Sequence, residues 1–324
     1  MRLPRVSPST VRKVALASVI CYALLMLSGA AVRLTGSGLG CPDWPSCYHT
    51  QFTAHVSFHP MVEFVNRCVT SALTAVSVLA LVVAFARTPR RLDLCWLAGG
   101  LAAGVAGQIV LGGIVVLFKL NPYLVACHFL LTIVILADAV VLYHQSGIGP
   151  EHDETRSEPT VTPDLRWLGR LLLATLAVLS TAGTMVTGAG PHAGAPSAVG
   201  QPIERVDIAF RAIAELHSDF ALFLIGLTLA SLFAFHHAKV PAEVERRLRI
   251  LFELMVIQGT IGYMQYFLHD DPVVVEFHIA GVTALWITAV GFYLSLHRHR
   301  EREAPVIAAL VGSPAAVPAA VPAG

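Results

Sequence analysis

Two glutamine–histidine pairs at one spacing give the first chemical lead in this chain. Gln108 stands twenty positions before His128, and Gln258 twenty before His278. Each pair brackets a glycine-containing apolar run, a short polar break (Asn121-Pro122, Asp271-Pro272) and a second apolar run that carries the histidine near its start. An imidazole in such a setting is costly to bury unless something hydrogen-bonds or coordinates it. A histidine at one depth in two copies of one unit therefore points to chemistry.

The surroundings of these histidines are lipid-like. Of 324 residues, 55% are hydrophobic and 13% charged, with mean hydropathy +0.68, about half the charged fraction of a soluble globular chain. The net charge of +1 and the lack of a basic stripe interleaved with aromatics argue against a nucleic-acid partner. Membrane lipid is the expected surrounding. A bilayer core needs about 20 apolar residues per helix. Runs that meet this cover 14–32, 62–86, 94–117, 122–143, 167–187, 209–235, 250–268 and 273–296, which predicts eight transmembrane helices in an all-α membrane protein. Glycines crowd the third run (Gly99, Gly100, Gly104, Gly107, Gly112, Gly113), and membrane helices use glycine for close approach. The first run begins with the basic residues of a signal peptide, but it is longer than the usual 7–15 apolar residues and has a counterpart later in the chain.

Lysine and arginine set the orientation. They gather at the N-terminus (Arg2, Arg5, Arg12, Lys13), after the second and sixth runs (Arg87, Arg90, Arg91; Lys239, Arg246, Arg247, Arg249) and after the eighth (Arg298, Arg300, Arg302). Both termini are expected on the cytoplasmic side of a multi-pass protein of the cell membrane.

The repeat is extensive. Gln108/Gln258, Pro122/Pro272 and His128/His278 are offset by 150, Asn66/His217 by 151, and Leu34–Gly38 matches Val186–Gly190 at 152. Four spans per half, an even number, give both halves one orientation, hence two pseudo-symmetric four-helix bundles in parallel repeat. The expected organisation is an N-terminal half (1–143), an acidic cytoplasmic linker (144–166), a C-terminal half (167–303) and a disordered tail (304–324) rich in Ala, Pro and Val.

His128 and His278 fall about six residues inside the fourth and eighth helices, and Asn66 and His217 slightly deeper in the second and sixth. All four then lie roughly 8–12 Å below the outer surface at 1.5 Å per residue. His217 and His278 can face each other across the second bundle, which is how a bundle holds a haem iron from both sides. The structural alternative is a core histidine satisfied by a backbone carbonyl. Zinc is disfavoured, since no third or fourth ligand shares the level. In the first half Asn66, a poor iron ligand, takes the place of the second imidazole. Glu63 lies on the same face, with Arg67 four residues on. They are either an ion pair that eases burial or a carboxylate beside an open coordination position.

Between the first two helices runs GSGLGCPDWPSCYHT. Cys41 and Cys47 lie on the side where disulfides persist, and the turn-rich CPDWPSC segment can bring them together. Two unpaired thiols are the alternative.

AAVRLTGSGLGCPDWPSC, the ExxNR run Glu63–Arg67, TGAGPHAG at 187–194, ELHSD at 215–219 and EFHIAG at 276–281 together resemble the haem A synthase family, with the CPDWPSC loop the most specific part. The resemblance spans all eight runs. It implies an oxidoreductase that converts the C8 methyl of haem O to a formyl group in two successive oxidations, giving haem A for cytochrome oxidase. By the same resemblance His217 and His278 hold a haem b cofactor, His128 ligates the substrate haem iron, Glu63 is catalytic, and Cys41 and Cys47 can form a disulfide. A haem O synthase (farnesyltransferase) and cytochrome oxidase assembly factors are implied partners, and a homo-oligomer stays open. Asn66 departs from the family, whose better-known members carry a histidine there. Arg33, Arg67 and Arg211 are candidates for propionate contacts, with interfacial snorkelling as the alternative. The rival function is a b-type cytochrome passing electrons between quinone and an extracytoplasmic acceptor. It uses His217 and His278 but leaves Glu63 and the cysteine loop without a role.

Overall fold

The computed structural model describes residues 5–148, 155–192 and 204–301. The expected tail at 304–324 lies outside them. The described residues form eight long helices: α1 (Pro8–Leu34), α2 (Phe58–Ala86), α3 (Leu92–Leu117), α4 (Pro122–Ser146), α5 (Pro163–Ala189), α6 (Phe210–His237), α7 (Ala242–Phe267) and α8 (Pro272–Ser295). Local chemistry fixes where α4 and α8 begin. Asn121 and Asp271 accept at their N-termini from the amides of Tyr123 and Leu124, and of Val273 and Val274. Pro122 and Pro272 follow at the first turn, where a missing N–H costs nothing. The preceding turns match as well, with positive φ at Lys119 and Leu120 and again at His269 and Asp270.

Seven of the eight helices are long and apolar enough to cross a bilayer, which makes this a multi-pass membrane protein. The exception is α7, predicted as a span from 250 but starting eight residues earlier. Its first turns carry Glu243, Glu245, Arg246, Arg247 and Arg249, tied by i,i+3 and i,i+4 ion pairs. Glu253, Gln258 and Gln265 dilute the rest. Other helices likewise outrun their apolar segments because helix continues into the polar interface. One departure from an all-helical chain is a two-stranded antiparallel ribbon, β1 (Thr155–Pro159) against β2 (His297–Glu301). It joins the expected linker to the segment after α8.

Within the first half the packed pairs are α1–α2, α2–α3, α3–α4 and α1–α4; within the second they are α5–α6, α6–α7, α7–α8 and α5–α8. Between halves, α1, α4, α5 and α8 meet. Lipid gives helices no hydrophobic reason to associate, so close packing and polar ties must do it. Such ties cross the molecule: Trp286 Nε1 donates to Ser180 Oγ at 3.0 Å, and Tyr22 and Ser77 share a buried bond of 3.0 Å. At one end of the bundle Arg33 Nε donates to the His192 carbonyl (2.6 Å) and its Nη2 to the Thr187 carbonyl (3.2 Å), while His192 Nε2 donates to the Asp270 carbonyl (2.8 Å). Exposed Trp96, Val134, Phe233 and Trp167 are what a lipid-facing surface requires.

Candidate functional site

His217 on α6 and His278 on α8 face each other with ring centroids 6.4 Å apart and planes inclined at 66°. An imidazole nitrogen binds a metal at roughly 2 Å. Adding about 1 Å from each nitrogen to its ring centre puts the centroids of two axial ligands about 6 Å apart across one iron. The observed spacing fits. The Nδ1 atoms of His217 and His278 are buried without a hydrogen-bond partner, as is that of His128. For His128 and His278 this departs from the carbonyl-satisfied core histidine of the structural alternative, whereas the His217 ring also interacts with the Leu179 backbone.

Each histidine has a glycine beneath it. A Cβ on Gly262 would lie 3.2 Å from His278 Cε1, one on Gly112 would lie 3.2 Å from His128 Cε1, and one on Gly183 would lie 3.0 Å from His217 Cε1. Only a residue without a side chain lets the ring settle there unshifted. Gly112 and Gly262 carry the same offset of 150 as the histidines they seat. So do the glutamines: Gln108 Nε2 donates to the His128 carbonyl at 2.9 Å and Gln258 Nε2 to the His278 carbonyl at 2.7 Å. The repeated spacing is a physical tie between a helix and the next one.

The first half differs opposite its histidine. Asn66 holds the place of His217, and its Oδ1 accepts from Ser28 Oγ on α1 at 2.8 Å. Glu63 is 5% exposed, and both of its oxygens are engaged. Oε2 accepts from the Cys41 amide at 2.8 Å, and Oε1 accepts from Arg67 Nη2 at 2.7 Å. Arg67 reaches further, donating to the carbonyls of Cys41 (3.0 Å), Asp43 (3.1 Å) and Ser46 (3.1 Å). Cys41 and Cys47 form a buried disulfide. The Glu63–Arg67 ion pair therefore exists, and it grips the cysteine loop. Both oxygens of this buried carboxylate are thus committed to N–H donors that tie α2 to the loop.

Among the described residues no group of three or more His, Cys, Asp or Glu converges as a metal site. A tetrahedral zinc centre has no ligand set, whereas two axial imidazoles suit an iron whose other ligands come from a macrocycle. The donor chemistry, the orphaned ring nitrogens and the glycine seats fit a haem between α6 and α8. Of the three arginines considered for propionates, Arg33 and Arg67 bond to carbonyls as described, and Arg211 forms an exposed pair with Glu215. One feature the sequence reading missed is Asp138, an ionisable group within apolar α4 whose Oδ2 would lie 2.5 Å from a Cβ on Gly100. A carboxylate inside a span is itself the signal.

Comparison with known proteins adds to this geometry. The family profile of the cytochrome oxidase assembly protein matches residues 12–215. The chain belongs to that family. The matched stretch contains Glu63, Asn66, His128 and both loop cysteines, and it ends just before His217. Curated relatives named "Heme A synthase" include one from Lysinibacillus sphaericus, 30% identical over 130 residues, 40% of this chain and 42% of the relative. Another from Listeria welshimeri is 28% identical over 128 residues, 39% and 42% of the two chains. A third from Geobacillus kaustophilus is 32% identical over 108 residues, 32% and 33%. Each similarity thus spans less than half the length of the relative.

Proposed function

We propose that this member of the family is a haem A synthase, oxidising the C8 methyl of haem O to a formyl group. The observation that carries the reading is the unequal pair of histidine sites. His217 and His278 stand 6.4 Å apart, while His128 has Asn66, pinned by Ser28, in the corresponding place. A site with two imidazoles suits electron transfer; a site with one leaves the other side free for chemistry. The plain b-type cytochrome accounts for the first site alone.

In this reading the chain is two pseudo-symmetric four-helix bundles in parallel repeat, eight spans in all, in the cell membrane with cytoplasmic termini. Its units are 1–143 and 167–303, joined by the linker at 144–166. The repeated glutamine ties, glycine seats and N-caps support the repeat. His217 and His278 would hold haem b, which supplies one-electron redox capacity. His128 would ligate the iron of haem O. Glu63, held by the Cys41 amide and Arg67, would handle protons or stabilise positive charge at the carbon being oxidised. Gly112 and Gln108 fix the depth and rotation of the His128 ring. Haem O is the substrate; a haem O synthase and cytochrome oxidase assembly factors are the partners this reading calls for.

The test is extraction of haem from membranes that contain this chain and a haem O source. Formyl haem is the expected product. Haem b alone, with haem O unconsumed, would leave the plain cytochrome as the better reading.

A further inference from the structure

Trp44 lies at the tip of the disulfide loop, whose backbone is held at several points. Arg67 binds the carbonyls on both sides of it, those of Asp43 and Ser46, and that of Cys41 as well. The Cys41–Cys47 bond closes the loop around it. Tyr48 Oη donates to the Gly40 carbonyl at 2.9 Å, and the His49 amide donates to Asp43 Oδ2 at 2.7 Å. The indole enters the helices at one point. A Cβ on Gly113 would lie 2.5 Å from Trp44 Cδ2, 2.6 Å from Cε2 and 3.0 Å from Cε3, so the fused edge of the ring rests on the α3 backbone. The neighbouring residue, Gly112, seats the His128 ring. The loop thus delivers an aromatic ring to the α3 turn that also receives His128. Trp44 remains 38% exposed, which leaves ring surface available to a ligand.

Among the described residues the second half offers no counterpart. Gly113 corresponds at offset 150 to Tyr263, which is 48% exposed and leaves no seat for an indole. The residues around Gly190, which match the start of the loop, contain no cysteine pair. What the halves share is the histidine with its glycine and glutamine. Among the described residues, the clamp and the tryptophan belong to the first half alone.

We propose that Trp44, seated on Gly113, is a positioning residue for the substrate macrocycle at His128. The inference rests on the reading of that site as the haem O site. A flat aromatic ring packs well against a porphyrin face or edge, and a rigidly held one selects one rotation of the macrocycle. That rotation decides which methyl group comes to the reactive position.

The test uses full-length protein in membranes and in detergent, with Trp44→Ala, Trp44→Phe and Gly113→Ala. Haem O is titrated by absorbance without an electron acceptor, and turnover is followed separately as KM and kcat. The haem b spectrum of the other half reports the fold. Trp44→Ala and Gly113→Ala are expected to weaken haem O binding and raise KM about tenfold, with haem b intact. Trp44→Phe should restore binding to within about threefold of the parent. Unchanged binding, KM and kcat in Trp44→Ala and Gly113→Ala would overturn the proposal. So would a loss in Trp44→Phe as deep as in Trp44→Ala, which would mark a role in folding only. If the parent protein itself neither binds nor converts haem O, it is the reading of the site that fails.

Discussion

The side-chain amide of Gln258 donates to the main-chain carbonyl of His278 at 2.7 Å, and Gln108 does the same for His128 at 2.9 Å. This bond locks the rotation of the histidine-bearing helix against its predecessor. A buried neutral hydrogen bond is worth about 1 kcal/mol net. Gln258→Leu is therefore expected to lower the thermal midpoint by about 2 °C and the fraction of haem b retained on purification. Gln108→Leu should leave that fraction unchanged. Differential scanning and pyridine haemochrome assays on both variants check this.

The glycine seats make a crossed prediction. A methyl on Gly262 meets His278 at 3.2 Å, which the ring can accommodate by a shift of a few tenths of an ångström, whereas valine cannot fit. Gly262→Val should abolish the low-spin haem b spectrum. Gly112→Val should preserve that spectrum and abolish haem A formation. Spectra and extracted haems from the two variants, side by side, decide the matter.

Asn66→His would place a second imidazole opposite His128. The variant is expected to bind haem O as a low-spin, six-coordinate species, visible by electron paramagnetic resonance. The parent should show a signal without a second histidine ligand. Identical spectra would mean that position 66 does not face the substrate iron.

Arg67 should resist conservative replacement. Lysine keeps the charge but cannot bridge Glu63 and three carbonyls at once. Arg67→Lys is expected to cut haem A yield about tenfold and to expose Cys41 and Cys47 to reductant and alkylation. Arg67→Ala leaves the buried Glu63 carboxylate unpaired, at a cost of about 3 kcal/mol. The double variant Arg67→Ala/Glu63→Gln should recover much of that stability without recovering activity.

Much of this was legible in the residues. The twenty-residue Gln-to-His interval, the Asn121 and Asp271 caps and the cysteine loop all leave local marks, because each depends on residues close in sequence or repeated at one offset. The glycine seats were not legible: Gly112 and Gly113 read as generic packing residues, and only the fold shows that one receives His128 and the other Trp44. Arg33 was equally opaque. A lone arginine at a membrane boundary suits snorkelling, propionates or a carbonyl strap, and its partners lie more than 150 residues away. In α7 the opposite happened, since ion pairs at its start extend a helix that hydropathy would cut short.

The strap formed by Arg33 and His192 has a consequence for movement. Arg33 of α1 grips the end of α5 and the residues beyond it, and His192 in turn grips the turn between α7 and α8. A membrane protein built from two similar halves can work by rocking one against the other around a central site. Here the seam is tied by hydrogen bonds at the Arg33–His192–Asp270 strap, which oppose such rocking. Electron tunnelling falls off steeply with distance, so under the proposed function a seam that does not rock would keep the hop between the two haem sites at one length.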